Sequence, residues 1–156
     1  TKGWSYGVGL GANSARESVS LLVRAPVQAD RTGDSIKEIL SDMNAFLGDK
    51  GVTKEELERT VNGMVRELPG SFETARDVLG GMTSIINNGR SDDYFEKRPD
   101  VYRGLTQKAL DEAARKDVDP TKLTCVVVGD AKTVKPRLQG LGLPIEERAA
   151  TDTPAN

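Results

Sequence analysis

Tyr6 begins a run in which glycine occupies every second position up to Ala12, and its phenol can both donate and accept a hydrogen bond. In an extended strand, successive side chains point to opposite faces, so this run would carry side chains on one face and bare backbone on the other. Trp4 lies two residues earlier and would project from the same face as Tyr6. Bare backbone lets a ligand approach closely. A buried ring with a satisfied hydroxyl is the structural alternative for Tyr6.

The same glycines also satisfy the looser form of a dinucleotide-binding fingerprint, which starts at Gly7 and Gly9 and ends at Ala12. Asp30 follows at about the distance of a ribose-binding acid. That fingerprint requires a helix directly after the glycines, whereas the sequence continues with a second strand pattern. We therefore favour a glycine-lined strand over a nucleotide site.

Two groups of neighbouring carboxylates could be interpreted as acid/base pairs of the kind that cleave glycosidic bonds. The groups are Glu55, Glu56 and Glu58, and Asp92, Asp93 and Glu96. The first group falls in the first turn of a predicted helix, where acids complement the helix dipole. Neither group has apolar surroundings that would raise a carboxyl pKa, so we interpret both as solvated surface charge.

The chain contains no histidine and one cysteine, Cys125. For this chain alone, the lack of histidine excludes a Ser-His-Asp triad, a Cys-His pair and a histidine-ligated zinc. Carboxylates could bind calcium or magnesium, but no Asp-x-Asp-x-Asp-Gly loop occurs. The apolar residues around Cys125 predict a buried, chemically inert strand residue.

The chain has 156 residues, with 22 basic and 24 acidic side chains and a formal net charge of -2. This balance gives no positive field that would attract nucleic acid or an anionic membrane. The longest apolar run, residues 125–128, is far shorter than the roughly 18 residues of a membrane span. The length is that of one domain, which we place at residues 1–148, followed by a flexible tail over residues 149–156.

The hydrophobic periodicity predicts a hairpin followed by helices. Two strands, Tyr6 to Ala12 and Val19 to Ala25, flank a polar turn over residues 13–16. Helices are predicted from about Asp30 to Gly48, Thr53 to Leu68, Ser71 to Asn88, Thr106 to Lys116 and Lys132 to Gly140, with an irregular or helical connector over residues 92–105. A capping box of Thr53 and Glu56 begins the second helix. A glycine pair, Gly80 and Gly81, predicts a close contact or a bend in the third.

Residues 123–128 are predicted as a third strand. The order of elements predicts an α+β fold, in which helices cover one face of a mostly antiparallel sheet as a two-layer sandwich. Three strands are few for so many helices, because each amphipathic helix needs an apolar surface on which to bury its stripe. We therefore expect further strands upstream of Thr1, and pairing of the open sheet edge with another chain.

Three stretches of the sequence resemble the carboxyl-terminal half of pitrilysin-type zinc metallopeptidases, a family that includes insulysin and the mitochondrial processing peptidase. The stretches are Lys2-Gly3-Trp4-Ser5-Tyr6-Gly7-Val8, Gly51-Val52-Thr53-Lys54-Glu55-Glu56-Leu57-Glu58-Arg59 and Leu123-Thr124-Cys125-Val126-Val127-Val128-Gly129-Asp130. Their order and spacing are similar to those of the family from Lys2 to about Pro144.

In this family, two homologous α+β halves or subunits close around an unfolded peptide. One half carries a His-x-x-Glu-His zinc site and a distal glutamate, and the other contributes an arginine and a tyrosine that hold the substrate at the zinc. Tyr6 matches that tyrosine, whereas the paired arginine would fall one residue upstream of Thr1. No residue here matches a zinc ligand. The resemblance therefore implies that the partner half holds the zinc, and that this chain supplies no catalytic residue or metal ligand and is inactive alone.

The resemblance implies the non-catalytic, substrate-binding half or an inactive subunit of a zinc endopeptidase, of a bacterial type. Its partners would be a zinc-bearing half and a peptide substrate held by Tyr6. A phenol suits this role because it can donate to a peptide carbonyl as that becomes an oxyanion. The alternative is a catalytically silent homologue with a structural or assembly role, as in some core proteins of mitochondrial respiratory complexes. The compartment stays open, with the bacterial periplasm as a working hypothesis.

Overall fold

A computed structural model describes residues 2–14 and 18–149, apart from the side chain of Ser14. The chain has an α+β fold in which helices predominate. Strands β1 (Gly9–Ser14) and β2 (Val19–Arg24) form a two-stranded antiparallel sheet. The predicted turn between them lies partly outside the described residues. An isolated antiparallel bridge between Ser5 and Val27 continues the pairing below the hairpin.

Six α-helices occur in the described part of the chain, close to where the periodicity predicts them. They are α1 (Thr32–Ala45), α2 (Lys54–Glu67), α3 (Ala75–Asn87), α4 (Tyr94–Arg103), α5 (Gln107–Asp117) and α6 (Ala131–Leu138). The predicted connector over residues 92–105 is thus mostly the helix α4. A π-helical turn over Phe46–Lys50 follows α1, and Gly48 inside it has a non-helical backbone.

Side chains at the helix starts satisfy backbone amides that have no partner within the helix. The predicted capping box of Thr53 and Glu56 is confirmed, since each side chain accepts a hydrogen bond from the backbone amide of the other. Thr74 and Asp77 form a second capping box at the start of α3, which the sequence placed near Ser71. A short 3-10 turn over Pro69–Phe72 precedes that start.

The described residues divide into two compact units. The first contains residues 2–10, 23–41 and 124–149. In this unit α6 packs against the 3-10 turn Ala29–Arg31 and the start of α1. Val134 of α6 is buried, as are Thr32, Gly33 and Ser35 of α1.

The second unit contains residues 11–14, 18–22 and 42–123. Phe72 and Phe95 form an edge-to-face pair with ring centres 4.9 Å apart. A β-carbon on Gly81 would lie 2.7 Å from the Phe72 ring, whereas one on Gly80 would meet nothing within 4 Å among the described residues. The close contact at the glycine pair is thus with an aromatic ring at Gly81 alone, and a close helix contact stays a prediction. Arg115 of α5 donates hydrogen bonds to the carbonyl oxygens of Leu47 and Gly48, at 2.7 and 2.9 Å.

Residues 123–128 do not form the predicted third strand. They pair with no strand among residues 2–14 and 18–149. Val126 and Val128 are consequently 83% and 94% exposed, and Cys125 is exposed where the sequence predicted burial. A strand needs a neighbour for its backbone hydrogen bonds, and a favourable composition alone does not supply one.

Among the described residues, Val134 is the one buried hydrophobic side chain. Apolar positions that the periodicity assigned to helix stripes are exposed, as on α3 at Val78, Leu79, Met82 and Ile86. The two-layer sandwich and the upstream strands therefore stay predictions. The single domain over residues 1–148 also stays a prediction. Residues 150–156 of the predicted tail lie outside the described part.

Candidate functional site

Tyr6 lies at a bend between the Ser5–Val27 bridge and the start of β1, not inside β1 as predicted. The amide of Gly7 donates to the Ser5 hydroxyl at 3.1 Å, which turns the chain at Tyr6 and interrupts the ladder. The Ser5 hydroxyl also lies 2.7 Å from the Pro26 carbonyl oxygen, to which it can donate. Ser5 therefore anchors the residue on one side of the tyrosine to the opposite arm of the hairpin.

The Tyr6 side chain is fully exposed, with a relative accessibility of 108%. Burial of the ring, which the sequence left as the structural alternative, is therefore not what the structure has. Trp4 behaves differently, because its ring lies beneath two cations, with Lys2 Nζ 4.9 Å and Arg31 Cζ 5.8 Å from its centre. Trp4 serves packing, and Tyr6 presents its phenol to solvent.

The backbone beside Tyr6 is open. A β-carbon built on Gly7, Gly9 or Gly11 would meet nothing within 4 Å among the described residues. The predicted bare face of the glycine run is thus present, although the regular strand starts only at Gly9. A second extended chain could approach this backbone without displacing a side chain.

The structure argues against the dinucleotide-binding interpretation of the glycine run. The glycines run into β1 and the hairpin, whereas a fingerprint of this kind presents its phosphate site at the start of a helix. Asp30 lies in the 3-10 turn before α1, where it pairs with Arg31 at 3.8 Å.

Glu56 and Glu58 of the first carboxylate group and Asp93 of the second make local contacts. The Thr53 hydroxyl and amide hold the pKa of Glu56 below its usual range, and Glu58 pairs with Lys54 at 3.7 Å. Hydrogen bonds from Lys97 and then Ser91 likewise lower the pKa of Asp93. A general acid needs a raised pKa, so these shifts run against acid catalysis.

Two features of the described residues bear on cofactors and membranes. No group of three or more His, Cys, Asp or Glu side chains there could hold a metal ion, so these residues do not fit a zinc site. No helix in the described part is both long and apolar enough to cross a bilayer.

The structure brings together four side chains that were not identified as a site from the sequence. Arg90, Tyr94, Arg98 and Tyr102, spaced four residues apart, alternate along one face of α4 and the turn before it; we name them the arginine–tyrosine ladder. Arg90 Cζ lies 4.3 Å from the centre of the Tyr94 ring. Arg98 Cζ lies 5.4 Å from the Tyr94 ring centre and 5.2 Å from that of Tyr102. The spacing of four was the available signal, since it places side chains on one helix face.

No family model and no curated protein matches this chain. Among solved structures, the chain is similar to the crystal structure of a peptidase M16 inactive domain from Pseudomonas fluorescens, with a TM-score of 0.67 and 21% sequence identity. The likeness shows the fold. It covers 78% of this chain but 28% of that one, so the chain spans little more than a quarter of its structural neighbour. The fold of this chain is thus like that of a peptidase M16 inactive domain, which agrees with the fold that the sequence resemblance implied. The assignment to the carboxyl-terminal half of a peptidase stays a prediction.

Proposed function

We propose that this chain is the non-catalytic, substrate-binding half, or an inactive subunit, of a pitrilysin-type zinc endopeptidase. Tyr6 would hold the peptide substrate at a zinc ion bound by another domain or subunit. The observation that carries the proposal is the complete exposure of Tyr6 beside an open glycine backbone. The fold likeness to an inactive peptidase domain supports it.

An exposed aromatic ring lacks the stabilising free energy that its burial would contribute. Burying a large apolar side chain contributes roughly 1.5–3 kcal/mol, and Tyr6 gains none of this within the described chain. A peptide lying along the hairpin would cover the ring and accept a hydrogen bond from the phenol. A bound peptide would supply both gains, which supports a binding role for Tyr6.

Tyr6 can contribute one step to peptide cleavage. Its hydroxyl can donate to a peptide carbonyl oxygen and stabilise the negative charge that develops there. Zinc on the partner half would supply Lewis acidity and an activated water. This chain would position the peptide, since a bound segment can extend past Gly7 and Gly9 without steric conflict.

The test is Tyr6→Phe in the complete two-half assembly, with an internally quenched peptide as substrate. This change removes one hydroxyl and keeps the ring. We expect kcat to fall about 10²-fold, because a single oxyanion donor contributes on that order. Zinc content, measured by atomic emission, should stay unchanged.

Ser20→Ala is the matched control, because it removes an exposed hydroxyl from β2 of the same hairpin. It should leave kcat unchanged. An unaltered kcat for Tyr6→Phe would contradict the proposed role of Tyr6, and a fall accompanied by zinc loss would assign the effect to assembly instead.

A second candidate is a catalytically silent homologue that serves only assembly. The exposed apolar face of α3, with Leu79 64% and Ile86 75% accessible, favours this reading because such faces mark interaction surfaces. The same assay separates the two. A structural subunit would bind the zinc-bearing half and tolerate Tyr6→Phe, but Leu79→Glu would weaken its binding.

A further inference from the structure

We propose that the arginine–tyrosine ladder binds a carboxylate of a polypeptide partner, from an aspartate or glutamate that lies next to an apolar residue. This site goes beyond the proposed function, because neither Tyr6 nor the glycine run takes part in it.

Arg98 is held between two rings. Its guanidinium lies near both Tyr94 and Tyr102 along the helix face, and the side chain is half-buried. A guanidinium offers its flat faces to aromatic rings and its edge to hydrogen-bond acceptors. The rings therefore restrict the side chain while the N–H edge stays available. Such pre-organisation lowers the entropy lost when a planar acceptor binds.

No carboxylate pairs with Arg90 or Arg98 in the part of the chain that the structure describes. Two other cations of the same helix are paired, Lys97 with Asp93 and Arg103 with Asp100. Arg90 and Arg98 also approach the same Tyr94 ring, with Cζ atoms 4.3 and 5.4 Å from its centre.

An open recess of about 300 Å³ lies between the ladder side chains on the surface of α4. Its lining consists of Ser91, Tyr94, Lys97, Arg98, Val101 and Tyr102. These residues include no carboxylate and two cations. Lys97 is paired with Asp93, whereas Arg98 has no acidic partner among the described residues, so Arg98 is the group that an acid would contact. Val101, 61% exposed, adds apolar surface next to the cations.

The mixed lining favours a peptide acid over an inorganic anion. A phosphate ion would leave Val101 and the ring edges hydrated, whereas a peptide can place a carboxylate on Arg98 and an aliphatic side chain on Val101. A carboxylate is also planar and matches the guanidinium edge with two hydrogen bonds.

The test uses the full 156-residue chain and two blocked peptides, acetyl-Leu-Glu-Leu-amide and its glutamine analogue. Calorimetry gives the dissociation constants, and the Nε–Hε resonances of arginine report which side chain is contacted. We expect the glutamate peptide to bind about tenfold more tightly than the glutamine peptide, and to shift the Arg98 resonance. Equal affinity of the two peptides, or no binding of either, would overturn the proposal.

Arg98→Met keeps the aliphatic stem and removes the charge, so it should weaken binding of the glutamate peptide about tenfold. Arg98→Lys keeps the charge but loses the planar pair of N–H donors, and should weaken binding less than Arg98→Met does. Arg103→Met is the matched control, because Arg103 lies on the same helix but is paired with Asp100 at 3.0 Å. Equal losses for Arg98→Met and Arg103→Met would contradict the assignment, as would displacement of the peptide by an equal concentration of inorganic phosphate.

Circular dichroism checks that each variant keeps its helices. Should Arg98→Met unfold, the decision rests on Arg98→Lys: weaker binding by a folded Arg98→Lys supports the site, and unchanged binding overturns it.

Discussion

Asp111 accepts a hydrogen bond from the backbone amide of Val52 at 2.8 Å, across 59 residues of sequence. Gln107, one turn earlier on α5, donates to the carbonyl oxygen of Val52 at 2.7 Å. Both backbone groups of Val52 are thus satisfied by side chains of a distant helix. Because Val52 directly precedes the Thr53 capping box, α5 fixes the point at which α2 begins.

Asp111→Ala should destabilise the fold by about 1–3 kcal/mol, because it leaves a partly buried amide without a partner. Urea unfolding followed by circular dichroism measures the loss. Glu112→Ala is the control: Glu112 contacts Lys108 at 3.8 Å and is largely exposed, so its removal should cost under about 0.5 kcal/mol. Equal costs for the two variants would show that the Val52 contact contributes nothing specific.

Gly33 permits the close approach of α1 and α6. A β-carbon at this position would lie 2.0 Å from the carbonyl oxygen of Arg137, and a backbone atom cannot swing aside. Gly33→Ala should therefore cost about 1–3 kcal/mol in the free energy of unfolding, or more. Gly80→Ala is the matched control inside α3, where a β-carbon meets nothing within 4 Å among the described residues. It should stabilise the protein by about 0.5–1 kcal/mol, since alanine favours helix.

The pKa of Glu56 should depend on Thr53. The Thr53 hydroxyl donates to the Glu56 carboxylate at 2.7 Å and its amide does so at 3.0 Å, and together they hold this pKa below its usual range. Because the folded pKa is the lower one, the charged carboxylate stabilises the folded state above the unfolded pKa. That contribution disappears as the pH falls through the folded pKa.

Carbon-detected NMR titration of Glu56 tests this relationship. In Thr53→Val the pKa should rise towards the ordinary glutamate value, and the acid-side loss of α2 should begin at a higher pH. Thr60→Val, which removes a hydroxyl from the middle of the same helix, should leave the Glu56 pKa where it was. A shift of equal size in both variants would mean that the capping box does not set this pKa.

The sequence predicted most helices because their signals are local. The Thr53 capping box acts within four residues, and the apolar stripe of α2 repeats over short distances. The sequence placed the start of α3 a few residues early, since the 3-10 turn at Pro69–Phe72 resembles a first helical turn. Such errors at element ends come from competing local conformations of similar free energy.

Long-range features could not be derived in the same way. The Gly33–Arg137 approach and the contact between Asp111 and Val52 join residues distant in sequence, and no local pattern encodes them. Tyr6 could be identified as a candidate from its type and its glycine neighbours. The exposure of Tyr6 could not be predicted, because it depends on the bend at Ser5 and on which residues pack near the ring.

Residues 123–128 should pair with a strand of another chain. They have no assigned secondary structure and are rich in β-branched side chains, and they lack a partner strand among the described residues. Their backbone groups make no backbone hydrogen bond to other described residues. With Val126 and Val128 in solvent, they form a template for strand addition. We expect the isolated chain to self-associate with rising concentration, and the amides of residues 124–128 to become protected from exchange at the same time.

Val126→Lys should suppress this association, because a charged side chain on an open strand opposes pairing with another edge. Leu79→Lys adds the same charge at an equally apolar, 64% exposed position on α3, and should leave strand pairing intact. Sedimentation velocity measures the association, and hydrogen exchange locates it. A chain that stays monomeric at every concentration would contradict the prediction. Equal suppression by both variants would indicate association through exposed apolar surfaces such as the α3 face, not through strand pairing, since a helix face cannot supply a ladder of backbone hydrogen bonds.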